Sequence, residues 1–420
     1  MNDKPRIHAA GLALIAAAAL LASAAPMAAA SAAPIHAAPA GATEAAFALV
    51  GCTLIDGSGA PPLADARVII EGGSIVAAGR ASAVGLPEGA RAIDLGGATV
   101  LPGLINAHVH GAFDAERLQA WAEAGVTSVR DMSSLGLPIA EVMRWRSESR
   151  SRPGYARLFA VGPMITVPGG YGSLAVSSPR EAREAALGLI EGGVDAIKAS
   201  LEDGYAGRSG LPKLADEELV ALVQAARERG KRTTVHITQG RYLREAVLAG
   251  ADEIAHIAYD YVDPDTWRLA AARGVTLVPT FTVFRNYGAP IDSCIRNLRG
   301  FLAAGGLVAT GNDFGGGPGE FEGGMPMYEF SCMRAAGMSA MQIIVASTKN
   351  AALCCGAEGS LGTIEAGKLA DIVVVAGNPL ADLAALEEPI MVMKEGTIIV
   401  DRRDDRRRIG AFSATPPPRG

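Results

Sequence analysis

Four histidines and one aspartate stand where they could hold a metal ion. The chain has six histidines; His8 and His36 fall in or just after an apolar N-terminal segment, which leaves His108, His110, His236 and His256 for a folded protein. A lone histidine near an apolar strand is more often a satisfied core residue than a ligand. Here each of the four lies at, or within about a residue of, the end of a short β-branched segment, and as a set they do not fit that description. His108 and His110 are one residue apart, so on a strand both side chains point to the same side and can share one ion. His236 in Thr-Val-His-Ile and His256 in Ile-Ala-His-Ile end two further segments, and Asp313 in Gly-Asn-Asp-Phe ends another. Imidazoles with a carboxylate suit zinc and, close behind it, manganese, iron or cobalt. Such a site lowers the pKa of bound water and makes hydroxide available for attack on a carbonyl.

These residues need elements to bring them together. From Gly125 onward, helical segments end in Gly and short β-branched strands follow, at Gly125, Gly193, Gly230, Gly250, Gly274 and Gly306. Glycine there supplies the left-handed cap that turns a helix back into a strand. The expected strands are 104–110, 127–130, 157–165, 196–199, 233–237, 253–257, 276–279 and 307–310. Eight alternating units close into a (β/α)8 TIM barrel with its site at the C-terminal ends of the strands, although an open doubly wound sheet shares much of the pattern. The flanks differ: 47–54, 67–70, 74–78, 371–375 and 390–400 look like short strands with glycine turns between them. The expected organisation is therefore α/β, with the barrel at 101–361 and a small composite β-sandwich from both chain ends, 44–100 plus 362–403. Residues 404–420, charged and then Pro-rich, form a loosely ordered tail.

The segments Leu101-Pro-Gly-Leu-Ile-Asn-Ala-His-Val-His110, Asp195-Ala-Ile-Lys198, Val235-His236, Ala255-His256 and Gly311-Asn-Asp313, with Gly367-Lys-Leu-Ala-Asp-Ile-Val-Val374 and Gly377-Asn-Pro-Leu380, occur in that order. In this the chain resembles the amidohydrolase superfamily, specifically its secreted imidazolonepropionase-like and prolidase-like (Xaa-Pro dipeptidase-like) members, over residues 47–400. The resemblance implies a His-x-His pair on the first strand, one histidine each on the fifth and sixth, and an aspartate on the eighth. It also makes Asp313 the base that takes the water's proton and can later protonate the leaving nitrogen. A helix N-cap is the other role for Asp313, and the following Phe314-Gly315-Gly316 counts against it.

Lys198 divides two forms of the site. In dinuclear members of the resembling family a lysine ending the fourth strand is carboxylated and bridges two divalent ions, and Lys198 stands in that place. A dry site beside cations favours a lysine that can lose its proton and react with carbon dioxide. Alternatively Lys198 pairs with Glu202, Asp203 or Asp313, and the site keeps one metal. Two substrate loops depart from the family: Pro168-Gly169-Gly170-Tyr171 stands where relatives carry Gly-Gly-His, and Ala199-Ser200-Leu201-Glu202-Asp203-Gly204 replaces a Ser-Gly-Gly. Tyr171 could present a phenol to substrate or pack the loop. Arg130 could hold a substrate carboxylate or pair with Asp131. The Gly-rich segment 315–327 would sit over the barrel mouth as a lid.

The formal net charge of −6, with no long basic run in the body, argues against a nucleic-acid surface and a polybasic membrane patch, so the expected partner is a small molecule. Lys4 and Arg6, the apolar run 9–22 and Ala28-Ala29-Ala30 before Ser31 read as a signal peptide over 1–30, which implies a periplasmic or secreted protein with no stable membrane partner after cleavage. The sequence leaves a homo-oligomer open. Five cysteines without CxxC or zinc-ribbon spacing read mostly as core residues. The expected activity is hydrolysis of an amide-type C–N bond in a dipeptide, an N-acyl amino acid or a cyclic amide. A mononuclear deaminase is the alternative within enzymes, although the Glu such a site places three residues after the fifth-strand histidine is absent from His236-Ile-Thr-Gln239. A non-catalytic periplasmic metal-binding protein is the alternative outside them.

Overall fold

Eight parallel strands follow one another along the chain: β1 Leu104–Val109, β2 Val126–Asp131, β3 Arg157–Ala160, β4 Ile197–Ser200, β5 Thr233–His236, β6 Glu253–Ala255, β7 Thr276–Val278 and β8 Leu307–Val308. Every residue of β1 to β7 is buried, which is why these segments are near-continuously apolar or β-branched rather than alternating. The structure is a computed structural model, and it describes residues 46–134, 136–204, 209–314 and 323–403, all within Pro39–Gly420. The expected signal segment, the 404–420 tail and most of the lid segment lie outside the described residues.

Strands β1 to β3 pair in parallel, and so do β4 to β8. The third strand, expected to run unbroken over 157–165, stops at Ala160, because Gly162 takes φ 71° and Pro163 has no N–H to donate. The chain resumes as Ile165–Thr166, and Ile165 pairs with Ala199 of β4. At the other end, the Ala107 N–H donates to the Thr310 carbonyl at 2.9 Å, that of Asp313 to His108 at 2.9 Å and that of His110 to Phe314 at 2.8 Å. These bonds join the chain after β8 to β1, giving a TIM-barrel-like fold.

Helices between the strands begin where the sequence supplies caps. Asp114 accepts from the Arg117 N–H, and Ser178 accepts from that of Glu181 with Pro179 in the first turn. Five of the six expected glycine junctions, Gly125, Gly193, Gly230, Gly250 and Gly274, have positive φ. The sixth falls one residue earlier than expected, at Gly305 with φ 81°. Gly306 instead presses on the Phe301 ring, which a Cβ would approach to 2.4 Å.

The flanking strands Phe47–Leu54, Leu63–Glu71, Ser74–Arg80, Arg91–Asp94, Thr99–Pro102, Ile372–Val375, Met391–Lys394 and Thr397–Asp401 make an additional domain from both chain ends. They form one continuous hydrogen-bonded sheet, in which Arg91–Asp94 and Thr99–Pro102 were not foreseen. The segment expected as one strand over 390–400 is a hairpin, turned at Glu395 and Gly396, both with positive φ. Thr99–Pro102 and Ile372–Val375 are buried on both faces. Val100, Ile372 and Val374 face the core of this domain, while Leu101, Val373 and Val375 face the main core, as two-residue periodicity requires. Thr99–Pro102 then runs through Gly103 straight into β1, so the sheet anchors the strand that carries His108 and His110. All five cysteines are buried and unbridged.

Candidate metal centre

The strand pairing that closes the fold also assembles the site. With the Asp313 N–H on the His108 carbonyl, the Asp313 Oδ1 lies 3.3 Å from His108 Nε2 and 2.9 Å from His110 Nε2. Asp313 Oδ2 lies 3.6 Å from His256 Nδ1, and His256 Nε2 lies 2.8 Å from His236 Nδ1. Lys198 Nζ sits 3.3 Å from His108 Nε2. Side chains from β1, β4, β5, and the ends of β6 and β8 thus meet at one point. Asp313 adopts φ 53°, a left-handed conformation that costs energy outside glycine and is concentrated at functional sites.

The electrostatics prepare these groups as ligands. Burial pushes His108 and His256 well below the ordinary imidazole range and lowers His236 as well, so all three rings are neutral near pH 7. Burial alone would raise the Asp313 carboxyl, but the surrounding imidazoles, His108 first, hold it well below the usual carboxylate range. Burial brings the Lys198 amine down to about 8 against the pull of Asp313.

One donor atom each from His108, His256 and Asp313 lie within 4.8 Å of one another. Two donors bound to one zinc ion at ~2.1 Å stand roughly 3–3.5 Å apart in a tetrahedron, and the spacings from Asp313 Oδ1 to His108 and His110 and from His256 Nε2 to His236 fall near that range. A divalent cation therefore fits the donor set, with His110, His236 and Lys198 adjoining it. Asn106 Nδ2 donates to Asn312 Oδ1 at 2.9 Å across the seam between β1 and the segment after β8, locking the two ligand-bearing segments in register.

The Amidohydrolase family profile matches residues 99–399, a span that takes in every one of these donors. The chain belongs to the amidohydrolase family. It is 27% identical to an ochratoxinase from Aspergillus niger over 274 residues, 60% of this chain and 53% of the relative, so it spans about half of that protein's length. It is 26% identical to an imidazolonepropionase from Symbiobacterium thermophilum over 407 residues, 81% of this chain and 93% of that one. A Xaa-Pro dipeptidase solved with methionine in its active site superposes with TM-score 0.72 at 25% identity, over 84% of this chain and 99% of that one.

Within the family frame, the departures foreseen in the two loops acquire positions. Tyr171 places its ring 4.7 Å from that of His236, at the site. Gly170 before it has no room for a side chain, since a Cβ would meet Thr166 Oγ1 at 2.4 Å and the Pro212 carbonyl at 2.7 Å. Glu202, only 1% exposed, points its Oε2 at His236 Nε2, 3.4 Å away, and accepts from the Thr238 hydroxyl at 2.6 Å. From the sequence alone, Glu202 stood out only as a partner for Lys198. The Glu202, Asp203 and Asp313 carboxylates instead pair with His236, Arg241 and the histidines. Glu202 thus brings to the fifth-strand histidine, from the neighbouring loop, the carboxylate missing after His236 itself.

Arg130 does not reach the mouth. It is fully buried in the barrel, where it forks onto Glu253, with Nη1 3.0 Å from Oε2, and donates to the carbonyls of Ala107 at 2.8 Å and Cys354 at 2.7 Å. Four of its five N–H groups are committed inside the core and the residue has no exposed surface, which places it with the structural residues and not at the substrate. Nor does it pair with Asp131, whose carboxylate accepts the Ala112 and Ser133 N–H groups at 3.0 and 2.9 Å and is pushed by burial up to about 6. The sequence carried no sign of Glu253, because a lone acidic residue at a strand start has no motif.

Proposed function

We propose that the chain is a metal-dependent hydrolase that cleaves an amide-type C–N bond in a dipeptide, an N-acyl amino acid or a cyclic amide. The convergence of His108, His256 and Asp313 donors within 4.8 Å, with Lys198 Nζ 3.3 Å from His108, carries this reading. His108, His110, His236, His256 and Asp313 would hold two divalent ions, zinc first among them, with a carboxylated Lys198 between. When bound, such ions polarise the substrate carbonyl and lower the pKa of water.

The residues of the chain supply the rest. With its pKa lowered by burial to about 8, Lys198 holds far more free amine at pH 7 than an exposed lysine, whose pKa is about 10.4. That amine forms the N–C bond with carbon dioxide and releases one proton, leaving a carbamate anion. Asp313, ionised at neutral pH, accepts the proton of the attacking water and returns it to the departing nitrogen. Tyr171 stands beside His236, where a phenol can meet the substrate acyl or carboxylate group. The names of the relatives, imidazolonepropionase, ochratoxinase and Xaa-Pro dipeptidase, support this range of amide substrates. Export through the N-terminal segment 1–30 belongs to the same proposal and rests on its composition.

The test is elemental analysis of the purified mature protein and of Lys198→Ala, with activity on a panel of dipeptides, N-acyl amino acids and cyclic amides. Near two metals per chain, falling to one or fewer in the variant, with metal-dependent turnover, supports the reading. One metal in both proteins would sink the dinuclear form and favour the mononuclear reading, for which Glu202 beside His236 is the specific observation. Bound metal with no turnover on any amide would leave a metal-binding protein.

A further inference from the structure

The His256 ring is held from a side of the barrel that no motif marks. Its Nδ1 lies 2.6 Å from Thr280 Oγ1. Thr280 is fully buried and has φ 54°. A β-branched residue is a genuine outlier in that region and stays there only when its surroundings over-determine it. The surroundings are supplied by one side chain. Glu329, fully buried on helix Met327–Ala335, accepts the Phe281 N–H at Oε1 and the Thr282 N–H and hydroxyl at Oε2, each at 3.0 Å. Those are the two residues that directly follow Thr280. The turn they begin, Phe281–Asn286, also lays Phe284 against His256, with ring centroids 5.9 Å apart.

We propose that Glu329 is a positioning residue for the metal centre: by clamping the backbone at Phe281 and Thr282 it holds Thr280 in the conformation whose hydroxyl fixes the His256 ring. The inference rests on reading His256 as a metal ligand. Partners of this kind set the tautomer and aim of a ligating histidine, and losing one typically costs about 10–100-fold in metal affinity. A purely structural cap at Glu329 would alter the melting temperature and leave the ring alone, so the two roles separate by experiment.

The test uses the full-length mature protein, stripped of metal, with Co(II) as the probe and with 15N-labelled histidine to read the His256 tautomer directly. The variants are Thr280→Val, Thr280→Ser, Glu329→Gln, the double variant Thr280→Val with Glu329→Gln, and Thr282→Val as a milder cut that removes one donor should Glu329→Gln fail to fold. Expected are about tenfold weaker Co(II) binding in Thr280→Val and in Glu329→Gln, a double variant no weaker than the worse single, and wild-type affinity in Thr280→Ser. The His256 nitrogen signals should move toward a tautomer average wherever affinity falls, with Thr282→Val in the same direction by a smaller factor. Glu329→Gln or Thr282→Val that lowers the melting temperature but keeps both affinity and tautomer would overturn the proposal, as would additive losses in the double variant. Wild type that binds no Co(II), with a tautomer shift still present in Glu329→Gln, would refute the metal-ligand reading while upholding the hold on His256.

Discussion

Gly311 lies against the strand that carries His108 and gives the site a sharp perturbation. A Cβ there would stand 2.7 Å from His108 Cβ, 2.8 Å from the His108 backbone nitrogen and 2.7 Å from Val278 Cγ1. Carbon atoms pack at about 3.5–4.0 Å, so Gly311→Ala must open the contact between β1 and the segment after β8 by roughly 1 Å. Neither neighbour can give cheaply: His108 and Val278 are fully buried, and one of the three contacts is to backbone. Overpacking of this kind costs about 1–3 kcal/mol. The displacement also falls between two candidate metal donors, His108 and Asp313, since Asp313 is two residues on and hangs from the His108 carbonyl. A misplacement of about 1 Å can cost on the order of 100-fold in turnover. Gly311 does not have a positive φ, so the effect would be steric and not conformational. Gly188 is the control: it lies inside helix Pro179–Glu191 with nothing within 4 Å of a Cβ, and alanine there should stabilise by ~0.5–1 kcal/mol. Urea denaturation, Co(II) titration and turnover would be read on both variants. Gly311→Ala with wild-type stability and wild-type metal affinity would refute the account of how the seam sets the site.

Other expectations follow from the same geometry. Arg130→Met strips the partner from buried Glu253 and should cost about 3–5 kcal/mol in urea denaturation, with KM unchanged in the folded fraction; a raised KM at unchanged stability would return Arg130 to the substrate. Glu202→Gln should weaken Co(II) binding about tenfold by releasing His236, and unchanged affinity would show that the carboxylate does not orient the ring. For the metal-free protein, His108, His236 and His256 have folded pKa values below their unfolded ones, so they contribute stability above pH ~6.5 that is lost as pH falls. Asp131 and Glu329, raised by burial to about 6 and about 8, take up protons earlier in the folded state and work the other way. Between pH 6 and 5 the three histidines outnumber the two carboxyls, so the metal-free protein should lose stability as pH falls through that interval. Stability that rises over that interval, or His236→Gln that fails to flatten the slope, would contradict the burial argument.

Much of the barrel was legible because local chemistry repeats there. Glycine caps in helices and β-branched runs in strands are short-range signals, and five of the six junction glycines take the conformation expected of them. The break in the third strand at Gly162-Pro163 was written in the residues too, but the apolar run on both sides masked it. Strands Arg91–Asp94 and Thr99–Pro102 were harder to see, because four residues leave little room for alternation and their partners are remote in sequence or depend on parallel pairing. The candidate ligands His108, His110, His236, His256 and Asp313 could be named from position because chemistry restricts ligands to a few residue types at strand ends, whereas Lys198 was named through the family resemblance. Glu202, Thr280 and Glu329 could not, since an outer contact can come from any loop that geometry brings near.

The composite sheet explains why the two ends of the chain are needed for a site built in its middle. The Gly103 N–H donates to the Asp371 carbonyl at 2.8 Å, tying the entry of β1 to the C-terminal flank. The Asp371 carboxylate pairs with buried Arg157 at 2.6 Å, at the start of β3. Lys394, also buried, donates to the carbonyls of Ser149, Arg152 and Tyr155, closing the end of the helix that leads into β3. The flank therefore grips the chain before β1 and before β3, the two ends of the three-stranded group. The candidate ligands His108 and His110 belong to that group, whereas Lys198, His236 and His256 belong to the strands from β4 onward. The seam bonds at Asp313 and Asn312 hold the groups to each other on the side of the metal centre. Register errors of one residue would turn a histidine from the site into the wall. Fixing β1 from below through the sheet and from above through Asn312 and Asp313 leaves that strand a single register, and it is the strand from which two donors project.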